Sequence, residues 1–166
     1  MPSMGQVLQQ HNSKVLRPRV EEEEEGCNCR AGVQNCPLGG RCLAASLVYG
    51  ATVTRADTGA ISTYTGLTAN TFKERYNGHT STFRHRTGNS STLSTHIWKL
   101  TDKDIPFNIA WTILARARAY NPTTGVCRLC LTEKFLIMFH RATATLNSRR
   151  EIFSSCRHRA SLTLAS

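Results

Sequence analysis

The chain has 166 residues, enough for one domain and a modest tail. Its 40% hydrophobic content makes a core that metal staples would help. The formal net charge is +10 and unevenly spread: five of the eleven acids form the run Glu21–Glu25, which leaves 18 basic against 6 acidic residues from Gly26 onward. That balance favours a polyanionic partner, most simply nucleic acid, over a basic protein with none, and the longest apolar run, Phe135 to Phe139, leaves no candidate for a membrane-spanning helix.

Met1 to Gln10 carries neither a basic start nor a long apolar stretch, so no secretory signal is expected. A nuclear or cytoplasmic location follows, with the seven cysteines reduced. Residues 1–25 read as a polar, disordered tail or linker that ends in a self-repelling charge block, with at most a helix end at Lys14–Leu16. Residues 26–46 form a cysteine-rich, zinc-binding segment, and residues 47–166 the main domain with further zinc ligands near its end. Within that domain Leu47–Thr54 and Ile61–Thr65 read as a hairpin about the turn Ala56–Gly59, and Gly66 reads as the break that ends it. A helix is expected from about Asn70 to Arg84, with Phe72, Tyr76, His79 and Phe83 on one face and Thr71-x-x-Glu74 as a capping box. A short helix over Leu93–Leu100, a strand alternating through Phe107, Ile109, Trp111 and Ile113, a loop over Asn121–Gly125 and an apolar helix over Leu131–Arg141 complete the domain. The order predicts an α/β (α+β) fold: a small three-stranded antiparallel sheet flanked by helices.

Hydrolysis of a phosphodiester needs a carboxylate to hold a metal, a cation to stabilise the charged transition state and a group to take a proton from water. Past the glutamate run only Asp57, Glu74, Asp102, Asp104, Glu133 and Glu151 remain. Three of these sit in turns and Glu74 reads as a cap. Glu133, near the start of the most apolar helix, is either helix-dipole decoration or a ligand on a rigid element.

Tyr49 in Leu47-Val48-Tyr49 and Tyr64 in Tyr64-Thr65-Gly66 end the two hairpin strands; Arg75, Glu133 and Asn147 follow in order. This set resembles the GIY-YIG nucleases, and with the cysteine-rich stretches it is closest to the endonuclease domain of Penelope-like retroelements. The resemblance covers roughly Cys27 to Leu164. It departs from the family in lacking the first motif's glycine and isoleucine and in having Thr65 for the second motif's isoleucine. It implies a DNA endonuclease that nicks target DNA for insertion. In that reading Tyr49 helps deprotonate the attacking water, Tyr64 positions phosphate or water, and Arg75 grips the scissile phosphate. Glu133 holds one catalytic Mg²⁺ or Mn²⁺, Asn147 orients the site, and His79 is a secondary candidate one turn beyond Arg75. It also implies a reverse transcriptase domain in a longer parent protein as partner, this chain being too short to hold a polymerase. Each residue alone has an ordinary reading: strand aromatics for the tyrosines, a solvated helix charge for Arg75, a helix cap for Asn147.

Cys127-x-x-Cys130 has the spacing of a zinc knuckle, and Cys156 with His158 would complete a Cys₃His site. Cys27, Cys29, Cys36 and Cys42 would form a second, Cys₄ site, so that structural Zn²⁺ uses all seven cysteines. The alternative pairs Cys36 and Cys42 with Cys127 and Cys130. The rival function is a zinc-dependent nucleic-acid-binding module without catalysis, which has no need of Glu133.

Overall fold

A computed structural model describes residues 26–86 and 91–158. The expected tail, with its helix end at Lys14–Leu16, lies outside these residues, as does Leu164. The chain forms β1 (Ala45–Arg55), β2 (Ile61–Thr71), α1 (Phe72–Arg84), α2 (Thr92–Asp102) and β3 (Phe107–Arg116). A two-residue hairpin, β4 (Tyr120–Asn121) and β5 (Val126–Cys127), then leads into α3 (Arg128–Phe139). The sheet is three-stranded and antiparallel in the order β2-β1-β3, so the fold is α+β as the sequence predicts. No helix among the described residues is long and apolar enough to cross a membrane.

The central strand is β1 because it has apolar side chains for both faces. Leu47, Tyr49, Ala51 and Val53 pack with Phe72 of α1 and Leu93, Ile97 and Leu100 of α2. Val48 points the other way, to Leu129 and Cys130 of α3. Thr71 caps α1, its hydroxyl accepting from the Glu74 amide at 3.3 Å, and Ser91 caps α2 in the same manner, accepting from Ser94 at 3.1 Å.

Three boundaries differ from expectation. Gly66 does not break the hairpin: β2 runs on to Thr71, and Gly66 pairs with Tyr49 across the ladder. The glycine is needed for space, since a Cβ there would lie 2.4 Å from the Tyr49 hydroxyl. Both tyrosines are therefore interior to their strands rather than at the ends. Helix α3 begins three residues before the expected Leu131 and stops at Phe139, with Arg141 opening a separate 3-10 turn, Arg141–Thr143. The zinc-knuckle spacing and the first helical turn share residues, and the Leu129 amide is satisfied from outside the helix by the Arg118 carbonyl at 2.9 Å.

After α3 the chain returns along the outer edge of β2. Leu146 donates its amide to the Thr63 carbonyl at 2.8 Å, and Thr145 accepts from the Thr63 amide at 2.7 Å. Asn147, buried, accepts from the Thr65 amide and donates to the Thr65 carbonyl, both at 2.8 Å.

Candidate functional site

The centre of the site is one oxygen. The Tyr49 phenol lies 2.6 Å from His79 Nε2 and accepts from Arg75 Nε at 3.0 Å. Arg75 and His79 lie four residues apart on α1, one above the other, and the strand pairing of β1 delivers the phenol between them. Arginine can only donate, so the phenol oxygen accepts from Arg75 and shares a single hydrogen with His79 Nε2. Electrostatics agree: burial, then the charge of Arg75, holds the His79 imidazole down to about 3, keeping it neutral. Burial pushes Tyr49 up to about 12 against the pull of Arg75, and raises Tyr64 as well. Tyr49 is wholly shielded from solvent, whereas Arg75 stands exposed. In this resting arrangement both the phenol and the imidazole are uncharged.

Tyr64 is buried beside this group, its ring 6.5 Å from that of Tyr49 and 6.0 Å from that of His79. Trp111 of β3 closes the cluster, 5.9 Å from Tyr49 and 5.6 Å from His79. Glu133 reaches the same neighbourhood from α3, because its charge bears on both phenols and that of Arg75 bears on it. Partial burial, then the charge of Glu151, raises the Glu133 carboxyl to about 7.

Glu151 is the residue that sequence reasoning passed over. It lies in the 3-10 turn Arg149–Phe153, accepts from Asn147 Nδ2 at 2.5 Å, and bears on Tyr64 as well as Glu133. Its four-residue spacing from Asn147 was the available signal. Asn147 itself points its amide at the backbone of Thr65 and at Glu151 rather than at the Tyr49 hydroxyl. It fixes β2 at the residue between Tyr64 and Gly66. Tyr49, Arg75 and His79 are thus joined by hydrogen bonds with Tyr64 packed beside them, Glu133 bears on them through its charge, and Asn147 is bonded to the strand that carries Tyr64.

The cysteines fall into two groups. Cys27, Cys29, Cys36 and Cys42 form one; Cys127, Cys130, Cys156 and His158 form the other, with the ligand atoms in each within 4.8 Å of one another. This is the partition that uses all seven cysteines. None of the seven cysteines is in a disulfide. Zn–S and Zn–N bonds of about 2.3 and 2.0 Å at tetrahedral angles imply S···S near ~3.8 Å and S···N near ~3.5 Å. The first group shows 3.7 Å between Cys29 and Cys42 and 3.6 Å between Cys42 and Cys27. In the second, His158 Nδ1 lies 3.4 Å from Cys127, 3.2 Å from Cys130 and 3.4 Å from Cys156. Both donor sets therefore fit a tetrahedral ion and could hold zinc. Burial opposes ionisation of Cys36, yet the backbone amides of Gly40 and Leu38 overcome it and bring the thiol down to about 6. The left-handed Gly39 and Gly40 (φ 60° and 98°) let that loop turn its amides to the sulfur.

No family model, curated protein or solved structure matches the chain. The functional reading therefore rests on the geometry of these residues.

Proposed function

We propose that the chain is a metal-dependent DNA endonuclease of the GIY-YIG type, most like the endonuclease domain of Penelope-like retroelements, with structural zinc in both cysteine clusters. The observation that carries this reading is the convergence of Arg75 and His79 on the Tyr49 hydroxyl, with Glu133 in electrostatic reach. An aromatic strand residue bonded to two helix side chains is common packing; adding an apolar-site carboxylate on a different element is what chemistry on phosphate requires.

In this reading Glu133 holds one Mg²⁺ or Mn²⁺, which supplies positive charge that neutralises the phosphate and favours the ionised forms of nearby groups. Arg75 donates Nε–H to Tyr49 and also bonds Tyr64, and its remaining N–H groups would serve a phosphate oxygen. Tyr49, held by Arg75 and His79, would take the proton of the attacking water once the metal and phosphate are bound. Tyr64 narrows the space beside that oxygen, and Asn147 with Glu151 keeps β2 in register. Such a nuclease would nick DNA to expose a 3′ end, as the partner of a reverse transcriptase domain.

A plasmid-nicking assay with Mg²⁺ or Mn²⁺, on wild type and Glu133→Ala, tests the reading. Nicking by wild type and none by the variant supports it. Equal nicking by both points to a contaminating nuclease or a wrong assignment of Glu133, whereas DNA binding without any cutting favours the non-catalytic module, which the basic charge and the cysteines would equally serve.

A further inference from the structure

The side-chain amide of Asn147 has no donor to spare. Its Nδ2 carries two hydrogens: one goes to the Thr65 carbonyl at 2.8 Å, the other to Glu151 Oε2 at 2.5 Å. Its Oδ1 accepts from the Thr65 amide at 2.8 Å. An ionised phosphate oxygen can only accept, and Asn147 has no N–H left to give it. The residue is also buried. It therefore acts on the site through what it grips.

What it grips lies next to the Tyr49 oxygen. Thr65 stands between Tyr64 and Gly66 on β2, and Gly66 pairs with Tyr49 across the ladder. The approach there is so close that a Cβ at Gly66 would fall 2.4 Å from the Tyr49 hydroxyl. A shift of β2 at Thr65 would move the wall beside that phenol and, on the other side, the Tyr64 ring that lies 6.5 Å from its own.

Glu151 holds the amide from behind. Ser148 builds its turn, the carbonyl accepting from the Glu151 amide and the hydroxyl from the Arg150 amide, both at 3.1 Å. One carboxylate oxygen takes the Asn147 hydrogen; the other faces the Thr92 hydroxyl at the start of α2, 3.5 Å away. A carboxylate only accepts, so the amide must turn its nitrogen towards it, which is also the orientation that suits both backbone groups of Thr65. Removing that acceptor would leave a buried N–H unpaired.

We infer that Glu151 is a positioning residue of the site: it holds the Asn147 amide on Thr65, so that Tyr64 and Gly66 keep their places against Tyr49, and neither Glu151 nor Asn147 touches the phosphate. The effect on cutting rests on the nuclease reading; the clamp itself does not.

The experiment takes the full, zinc-loaded chain and compares Glu151→Ala, Glu151→Gln, Asn147→Ala and the double alanine variant. Hydrogen exchange at the Thr65 amide, followed by NMR without divalent metal, reads the clamp directly. It should quicken at least ~10-fold in Glu151→Ala, while the Val53 amide in the centre of the sheet keeps its wild-type rate. Glu151→Gln, whose amide oxygen still accepts from Asn147, should match wild type. In plasmid nicking, Glu151→Ala should lower kcat by about 10- to 100-fold with KM within about threefold. The glutamine variant should restore it, and the double variant should be no slower than Asn147→Ala alone. Unchanged exchange at Thr65 in Glu151→Ala would overturn the clamp. So would a glutamine variant as slow as the alanine one, which would assign the role to the carboxylate charge, or losses that add in the double variant. A wild type that never nicks, with Thr65 exchange responding as expected, would sink the nuclease and keep the clamp.

Discussion

The two cysteine clusters have the same size and similar chemistry but different surroundings. The first lies inside the larger core, where Cys36 and Cys42 are buried with Leu47, Tyr49 and Phe72, and Cys27 and Cys29 pack against them. Its backbone also holds the start of α1, since the Cys42 carbonyl accepts from the Lys73 amide and that of Ala44 from the Phe72 amide, both at 2.8 Å. The second lies in the smaller core with Val48 and Leu129, and joins the end of the described chain to the first turn of α3. Each cluster therefore stands at the base of a helix that carries site residues: Arg75 and His79 for the first, Glu133 for the second. The difference is that the first is continuous with what holds the sheet, while the second mostly orients one helix against it. Zinc in the first cluster would brace the fold, and zinc in the second would orient the helix that carries Glu133.

Four measurements would break or sharpen that contrast. The largest effect is expected from Cys42→Ser. A structural zinc contributes about 10–16 kcal/mol of apparent binding energy, comparable to a domain's whole stability. The variant should show no cooperative thermal transition; a normal melt would disprove that the first cluster holds the fold. Cys156→Ser should instead leave the near-ultraviolet dichroism of the Trp111 cluster intact while lowering nicking by about 10- to 100-fold, because α3 loses its anchor. Loss of both signals together would erase the distinction between the clusters.

Tyr49→Phe is the third. It leaves His79 Nε2 and Arg75 Nε without their shared partner, at a cost of about 1–3 kcal/mol by denaturant titration. Nicking should fall by about 10²–10⁴, and a rate within threefold of wild type would remove the phenol from the chemistry. The smallest effect is Glu133→Gln. The Glu133 carboxyl is raised from 4.5 to about 7, so the folded protein binds its proton more tightly than the unfolded chain does. That preference stabilises the fold below pH 4.5 and is lost as pH rises through about 7. Without divalent metal at pH 8, the glutamine variant should therefore be more stable than wild type, by roughly 1–2 kcal/mol after allowance for partial exposure. The gain should disappear near pH 4. A destabilised variant at pH 8 would mean that the carboxylate is already well compensated by neighbours.

The parts legible from sequence were those with local signals. Alternation gave β3, the Phe72–Tyr76–His79–Phe83 face gave α1, and counting ligands against spacing gave both clusters. What escaped was set by contacts distant in the chain. Gly66 looks like a strand breaker, but its reason is the phenol of Tyr49, seventeen positions earlier on the neighbouring strand. Asn147 looks like a cap, yet its partner is the backbone of Thr65, 82 positions away. Glu151 carries no motif and enters only because the returning chain sets it against Asn147 and near Glu133. Helix α3 starts ahead of the apolar run at Leu131 because the C-x-x-C is itself part of the first turn, with Cys130 already helical.

The return of residues 145–147 along β2 has a consequence for behaviour at high concentration. That strand's outer N–H and C=O groups at Thr63 and Thr65 are occupied, so a neighbouring molecule cannot extend the sheet there. Among the described residues no strand covers the far side of β3, which spans ten residues and includes Ile109, Trp111 and Ile113. Any self-association through sheet extension would be one-sided, and a proline or lysine placed on β3 would be the means to suppress it.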